Sequence, residues 1–209
     1  MTRIPQARRF TVLFSAGSVA DSVFFLISGL VKISRKGPDE KEVLLRVVKP
    51  GEVFGDDAFL ISAPRASSAE VLLEASVAIV PKELFERFCI QQPQVYRLLS
   101  HVLAQREQDL EFKIEMLLMR DVEQRILLCL ADLAEALGGS EENGGYEVQL
   151  SQSEVANMIG ATRETTSTTL NALERRGLLR LGRRRMIVDN PHLLREAAKP
   201  GETTQSAAE

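Results

Sequence analysis

LSQSEVANMIGATRETTSTTLNALERRGLL, residues 150–179, is the stretch whose reading decides the fold. Ser151 followed three places later by Glu154 is a capping-box signal at a helix start. Val155, Met158 and Ile159 then form one apolar stripe, and Gly160 ends the helix as a residue that tolerates positive φ. Thr162 caps a second helix with an acid in its first turn. Leu170 and Leu173 anchor that helix to a core, and Gly177 stops it. LLRLGRRRMIVDN (178–190) follows as a hairpin turning at Gly182. Helix, tight Gly turn, helix and β-wing make up a winged helix-turn-helix.

Residues 165–169 are all Thr or Ser, although both are mediocre helix formers. A groove explains the choice. Bulky side chains hold a helix away from DNA, whereas short hydroxyls bond phosphates or touch thymine methyls. Arg163 can fork onto guanine O6 and N7, and Glu164 can accept from cytosine N4. Thr162, Arg163, Glu164, Ser167 and Thr168 are therefore the expected groove residues, with Arg183, Arg184 and Arg185 as phosphate contacts from the wing. Arg180 reads equally well as an ion pair within the domain. Charge agrees with a local polyanion contact: residues 150–195 carry eight Arg against four acids, while the chain as a whole is at −3.

Working outward, Asp121 and Gln124 open a helix over VEQRILLCLADLAEALG, which ends at the polar loop SEENGGYE. Before it, a long helical pattern starts at Pro93, with Leu99, Leu103, Leu110, Ile114 and Leu117 on its apolar positions. Leu103, Leu110 and Leu117 repeat every seven residues, as one seam position of a two-stranded coiled coil does. Arg106 and Lys113 stand where the other seam position would be. PKELFERFCIQQ predicts a short helix. Residues 10–80 alternate short strands (FTVLF, SVFFLISG, LVKIS, EVLLRVV, AEVLLEAS with VAIV) with turns at AGS, SG, KGPDE, KPGE and SAPR, which fits a small all-β barrel or roll. The expected division is 1–92 β-roll, 93–120 dimerisation helix and hinge, 121–195 winged helix-turn-helix, and 196–209 a disordered tail.

Composition narrows the rest. The chain has 209 residues, 44% apolar and 26% charged, so its core needs no disulfide. Cys89 and Cys129 sit in apolar contexts and read as buried small hydrophobes. No signal peptide is visible, and the apolar run at 23–31 is too short to span a bilayer, so a cytoplasmic protein without a membrane partner is expected. No paired nucleophile and base, metal-ligand spacing or P-loop points to an enzyme.

The quoted stretch closely resembles the helix-turn-helix of the CRP/Fnr family of bacterial regulators. AGSVADSVFFLISGLVKI and KPGEVFGDDAFLISAPRASSAEV resemble the double-stranded β-helix, cyclic-nucleotide-binding-like sensor domain of that family. The RD-V-xx-R pattern at Arg120–Arg125 resembles its hinge, and the family's N-terminal helix is shortened here. The resemblance covers almost the whole chain and implies an α+β fold and a homodimeric transcriptional regulator. Its partners would be double-stranded DNA, bound at a palindromic operator, and RNA polymerase. Arg163 and Glu164 match the family residues that read the G and C pairs of a TGTGA-type half-site. Thr168 replaces a second base-reading arginine, which leaves the full half-site open.

The sensor departs further from the pattern. Gly55 and Asp56 match the family's Gly-Glu at the ribose position, and Arg65 matches the arginine that holds the cyclic phosphate. The next residue is Ala66 rather than Ser or Thr, and Ser67 comes one place late, facing the other side of a strand. Leu110 and Glu111 stand where the cyclic-AMP pattern wants Thr and Ser, so dependence on cyclic AMP is not expected. Arg65, Arg106 and Glu111 resemble the groups that bind 2-oxoglutarate in the nitrogen-control branch, which makes an organic acid the alternative effector. Arg106 reads equally as an ion pair to Asp56 or Asp57. No N-terminal cysteine cluster suggests an iron–sulfur centre, and neither His101 nor His192 suggests a haem. The competing functional reading is a cyclic-nucleotide-type or organic-acid-sensing module whose basic C-terminal domain binds a protein.

Overall fold

A computed structural model describes residues 2–37, 42–59, 63–137 and 145–199. The fold is α+β and divides into two compact units, Met1–Ile114 and Glu115–Glu209.

The first unit is an antiparallel β-roll. Its strands are β1 (Thr2–Ala7), β2 (Val12–Phe14), β3 (Ser22–Lys36), β4 (Glu42–Val48), β5 (Val53–Phe54) and β6 (Ser68–Pro81). The sheet order is β1-β6-β3-β4, with β2 added to β6 and β5 to β3. Two strands differ from the sequence expectation. SVFFLISG and LVKIS form one continuous strand, because β3 stays paired to β6 from Ser22 to Ser34 through irregularities between Leu26 and Val31. Gly29 is therefore a bulge residue rather than a turn. Its φ is +85°, and a Cβ there would stand 2.1 Å from the Glu74 carbonyl oxygen, so only glycine lets the strands approach. Strand structure also begins earlier than Phe10, since Arg3 and Ile4 already pair with Ala78 and Val77. The core gathers Phe24, Leu26, Val31, Val48, Phe54, Val71 and Val77, all buried.

Two helices follow, α1 (Lys82–Gln91) and α2 (Gln94–Met119). The second begins one residue after Pro93. It buries no residue of its own, and Leu103, Leu110, Ile114, Leu117 and Leu118 are all exposed while Leu99 is half-buried. Arg106 and Lys113 do not join that stripe. Arg106 bonds Asp56 and the Val53 carbonyl, and Lys113 Nζ bonds the carbonyls of Leu44 (3.3 Å) and Leu45 (2.8 Å). The polar residues of the seven-residue repeat thus latch α2 to β4 and β5.

The second unit holds α3 (Val122–Leu137), β7 (Tyr146–Val148), α4 (Gln152–Ile159), α5 (Arg163–Arg175), β8 (Arg180–Gly182), β9 (Arg185–Val188) and α6 (Pro191–Ala197). The strands form a three-stranded sheet in the order β7-β9-β8. Asp121 caps α3, accepting from the Gln124 N–H at 2.8 Å. Leu127, Leu130, Val155, Leu170, Leu173, Leu179, Met186 and Leu194 fill the core. The compact units divide between Ile114 and Glu115; the end of α2 lies with the second unit, where a Cβ on Gly160 would stand 3.1 Å from Leu117 Cδ2, and Arg120, just past the helix, bonds the Ala198 carbonyl at 3.4 Å. Ordered structure also passes the expected end at 195, since α6 continues to Ala197 and Ala198 is buried. The rest of the expected tail, most of KGPDE and most of SEENGGYE lie outside the described residues.

Candidate nucleic-acid interface and sensor site

The helix-turn-helix is built by local capping. Ser151 closes a full capping box on α4: its Oγ accepts from the Glu154 N–H, and the Glu154 carboxylate accepts from the Ser151 N–H at 2.7 Å. Gly160 ends α4 at φ +65°, and the Ala161 N–H closes onto the Ala156 carbonyl at 3.0 Å. Arg125 takes the free Ile159 carbonyl at 2.8 Å and so holds the turn from α3. The far end of α5 is closed by Gly177 N–H to Glu174 carbonyl (2.9 Å) and Leu178 N–H to Leu173 carbonyl (3.1 Å), a Schellman pair.

The hydroxyls of α5 divide by task. Thr162 is the N-cap, its Oγ1 accepting from the Thr165 N–H at 3.2 Å and lying 2.9 Å from Thr165 Oγ1. Thr169 bonds back to the Thr165 carbonyl at 2.9 Å. Thr166 is fully buried beside Leu170 and Leu173, and its Oγ1 has no hydrogen-bond partner. On the opposite side Arg163, Glu164, Thr168, Asn171 and Arg175 are exposed, and Ser167 is half-buried. The sequence expectation named Thr162, Ser167 and Thr168 for the groove; the helix period sends Thr166 inward, and the hydroxyls of Thr162, Thr165 and Thr169 bond within the helix. Ser167 and Thr168 are left for a ligand.

The wing turns at Arg183–Arg184, with Gly182 paired to Arg185. Arg184 adopts φ +57°, so the left-handed residue of the turn is an arginine and not Gly182. Arg183 and Arg184 form the tip. Arg185 sits on β9 with its guanidinium 3.6 Å from Glu147, and Arg180 pairs with Asp189 at 2.6 Å, the intradomain alternative.

The sensor site centres on Arg65, which is 2% exposed. Its Nη1 donates to the Gly55 carbonyl (2.7 Å) and to Asp57 Oδ1 (2.5 Å), and its Nη2 to the Ser22 carbonyl (2.5 Å). The guanidinium lies over Phe14 and Phe24, 4.4 and 5.5 Å from the ring centroids. Asp57 Oδ2 accepts from the Ala66 backbone N–H at 3.1 Å. Asp56, one residue away on the same single turn of 3₁₀ helix, pairs with Arg106. Burial, together with the nearby Arg106 guanidinium, pushes the Arg46 pKa below its ordinary value. The structure thus joins Gly55 to Arg65 and Asp56 to Arg106. Among the described residues, Ser67 and Glu111 make no hydrogen bond or ion pair with that group. Sequence reasoning missed Asp57 as the partner of Arg65, because a pairing across eight residues of irregular chain leaves no periodic trace.

A β-roll followed by a long helix and a capped winged helix-turn-helix defines a sensor-linked DNA-binding protein. Residues 6–92 match the cyclic nucleotide-binding domain and residues 124–197 the Crp-like helix-turn-helix domain. A CRP-like cAMP-activated global transcriptional regulator from Mycobacterium tuberculosis is 32% identical over 188 residues, 88% of this chain and 84% of its own. The global nitrogen regulator of Synechococcus elongatus is 28% identical, covering 90% and 86%. A solved CRP-family transcriptional regulator from Thermus thermophilus superposes with a TM-score of 0.77 at 26% identity, covering 96% and 97%. The chain belongs to the CRP/Fnr family of transcriptional regulators and binds DNA through its helix-turn-helix. No helix among the described residues is long and apolar enough to cross a membrane.

Proposed function

We propose that the chain acts as a cytoplasmic homodimer on a palindromic operator, without dependence on cyclic AMP, and regulates transcription by contacting or blocking RNA polymerase. The carrying observation is the division of α5 into a core face (Thr166, Leu170, Leu173) and an exposed face led by Arg163 and Glu164, with Ser167 and Thr168 behind them. Arg163 takes guanine, Glu164 takes cytosine, and Arg183 and Arg184 of the wing take phosphates. Dimerisation through α2 is supported by the exposed stripe Leu103, Leu110, Ile114 and Leu117, which repeats at coiled-coil spacing and is interrupted only at Glu107. Two copies place two recognition helices about one helical turn apart, which demands two-fold half-sites. Independence from cyclic AMP is supported by Ala66, Leu110 and Glu111, which lack the hydroxyls the nucleotide needs.

A gel-shift series over operator variants and salt tests the proposal, with cyclic AMP, cyclic GMP and 2-oxoglutarate added in separate arms. Preference for paired TGTGA-like half-sites, unchanged by cyclic AMP, is the expected result. Equal retention of all duplexes, or binding only with cyclic AMP, contradicts it.

A further inference from the structure

The buried guanidinium of Arg65 and the backbone N–H of Ala66 are together the donor set that an oxyanion needs: a fork and an adjacent amide, in a dry setting under two phenyl rings. Both donors point at the same carboxylate. Asp57 Oδ1 takes one Nη1–H of the guanidinium and Oδ2 takes the amide, and the side chains of the pair are 1% and 16% exposed. The second arginine is matched in the same way, since Arg106 pairs with Asp56. We propose that Asp57 is the chain's own ligand for the anion seat of the sensor domain, so that the native protein takes no anionic effector there and removing that carboxylate opens the seat to a small oxyanion.

An attached carboxylate competes as an intramolecular ligand, whose effective concentration is about millimolar or higher. A free anion must displace it and also recover its two hydrogen bonds. Two other N–H groups of Arg65 go to the Gly55 and Ser22 carbonyls and its buried Nε–H has no partner among the described residues, so a new anion that is to hold both the Nη1 donor and the Ala66 N–H must displace Asp57. The inference deepens the proposed independence from cyclic AMP and leaves the DNA-binding reading untouched.

The test is calorimetry of the full-length protein and its Asp57→Ala and Asp57→Asn variants, titrated with inorganic phosphate and with cyclic AMP. Circular dichroism establishes which variants are folded, and operator affinity is measured on the same samples. At least tenfold tighter binding of either probe by a folded variant than by the native protein is expected, lost again in Asp57→Ala/Arg65→Gln. The proposal is overturned if the native protein binds the probes as tightly as the variants, or if both folded variants bind neither. Loss of operator binding in the native protein would count against the DNA reading alone.

Discussion

Thr166 separates the two faces of α5, and replacing it with valine gives a quantitative test of their assignment. Its side chain is fully buried and its Oγ1 has no hydrogen-bond partner. A buried hydroxyl without a partner costs about 1–3 kcal/mol. Valine keeps the β-branched shape, exchanges the hydroxyl for a methyl and has nearly the same helix propensity, so most of that penalty is recovered. Thr166→Val is therefore expected to stabilise the protein by about 1–2 kcal/mol, a rise of roughly 2–4 °C in Tm per kcal/mol for a chain of 209 residues. Operator affinity should stay within twofold, because the side chain faces Leu170 and Leu173 rather than DNA. Thr168→Val is the matched control, with stability unchanged and base preference altered. Urea titration and calorimetric melting read the first quantity, and fluorescence anisotropy the second. Destabilisation by Thr166→Val, or a large loss of DNA affinity from it, would refute the orientation of the helix.

Gly160→Ala forces an L side chain to φ +65° with its Cβ 3.1 Å from Leu117 Cδ2, so a loss of about 1–2 kcal/mol in urea unfolding is expected, together with weaker operator binding. Leu110→Asp places one carboxylate from each protomer in the proposed seam; light scattering should show a folded monomer at micromolar concentration, and a dimer of unchanged stability would contradict that seam. Glu42 is opposed by burial but held below the usual carboxylate range by hydrogen bonds from Lys32 and Ser34 and by the Lys32 charge. Its contribution is therefore present above about pH 4.3, the unfolded value, and disappears as pH falls through the lower folded value. For a pair this exposed it amounts to about 0.2–1 kcal/mol. The urea midpoints of the native protein and Glu42→Gln should differ at pH 7 and converge near the acid end of the titration. Arg184→Asn, which tolerates the left-handed backbone, should weaken binding to all duplexes alike and lower the salt slope by about 1, whereas Arg163→Ala should relax preference at one guanine.

Much of the second unit was legible because its signals are local. Ser151 with Glu154, Gly160, Thr162 and Gly177 each act within one helical turn, and all of them appear in the structure as caps or turns. The β-roll was less legible. A bulge at Gly29 and a turn at Gly29 demand the same residue, and only pairing with β6 distinguishes them. Side-chain commitments across the chain were invisible for the same reason. Arg106 was open between an effector contact and an ion pair, and the geometry gives the ion pair to Asp56. Asp57 carried no periodic or motif signal, although it pairs with the most buried arginine of the chain. Even on α5, the inward turn of Thr166 carried no signal in a run of five hydroxyl residues, and only the packing against the core reveals it.

The central claim is that the N-terminal turn of α5 lies in a major groove with Arg163 on a guanine. Dimethyl sulfate methylation of guanine N7 reads that atom directly. On a duplex bearing two TGTGA-like half-sites, the protein should protect one guanine N7 in each half-site, the two about one helical turn apart, and Arg163→Ala should abolish that protection while wing contacts persist. Uniform methylation with the native protein bound, or protection unaltered by Arg163→Ala, would contradict the account.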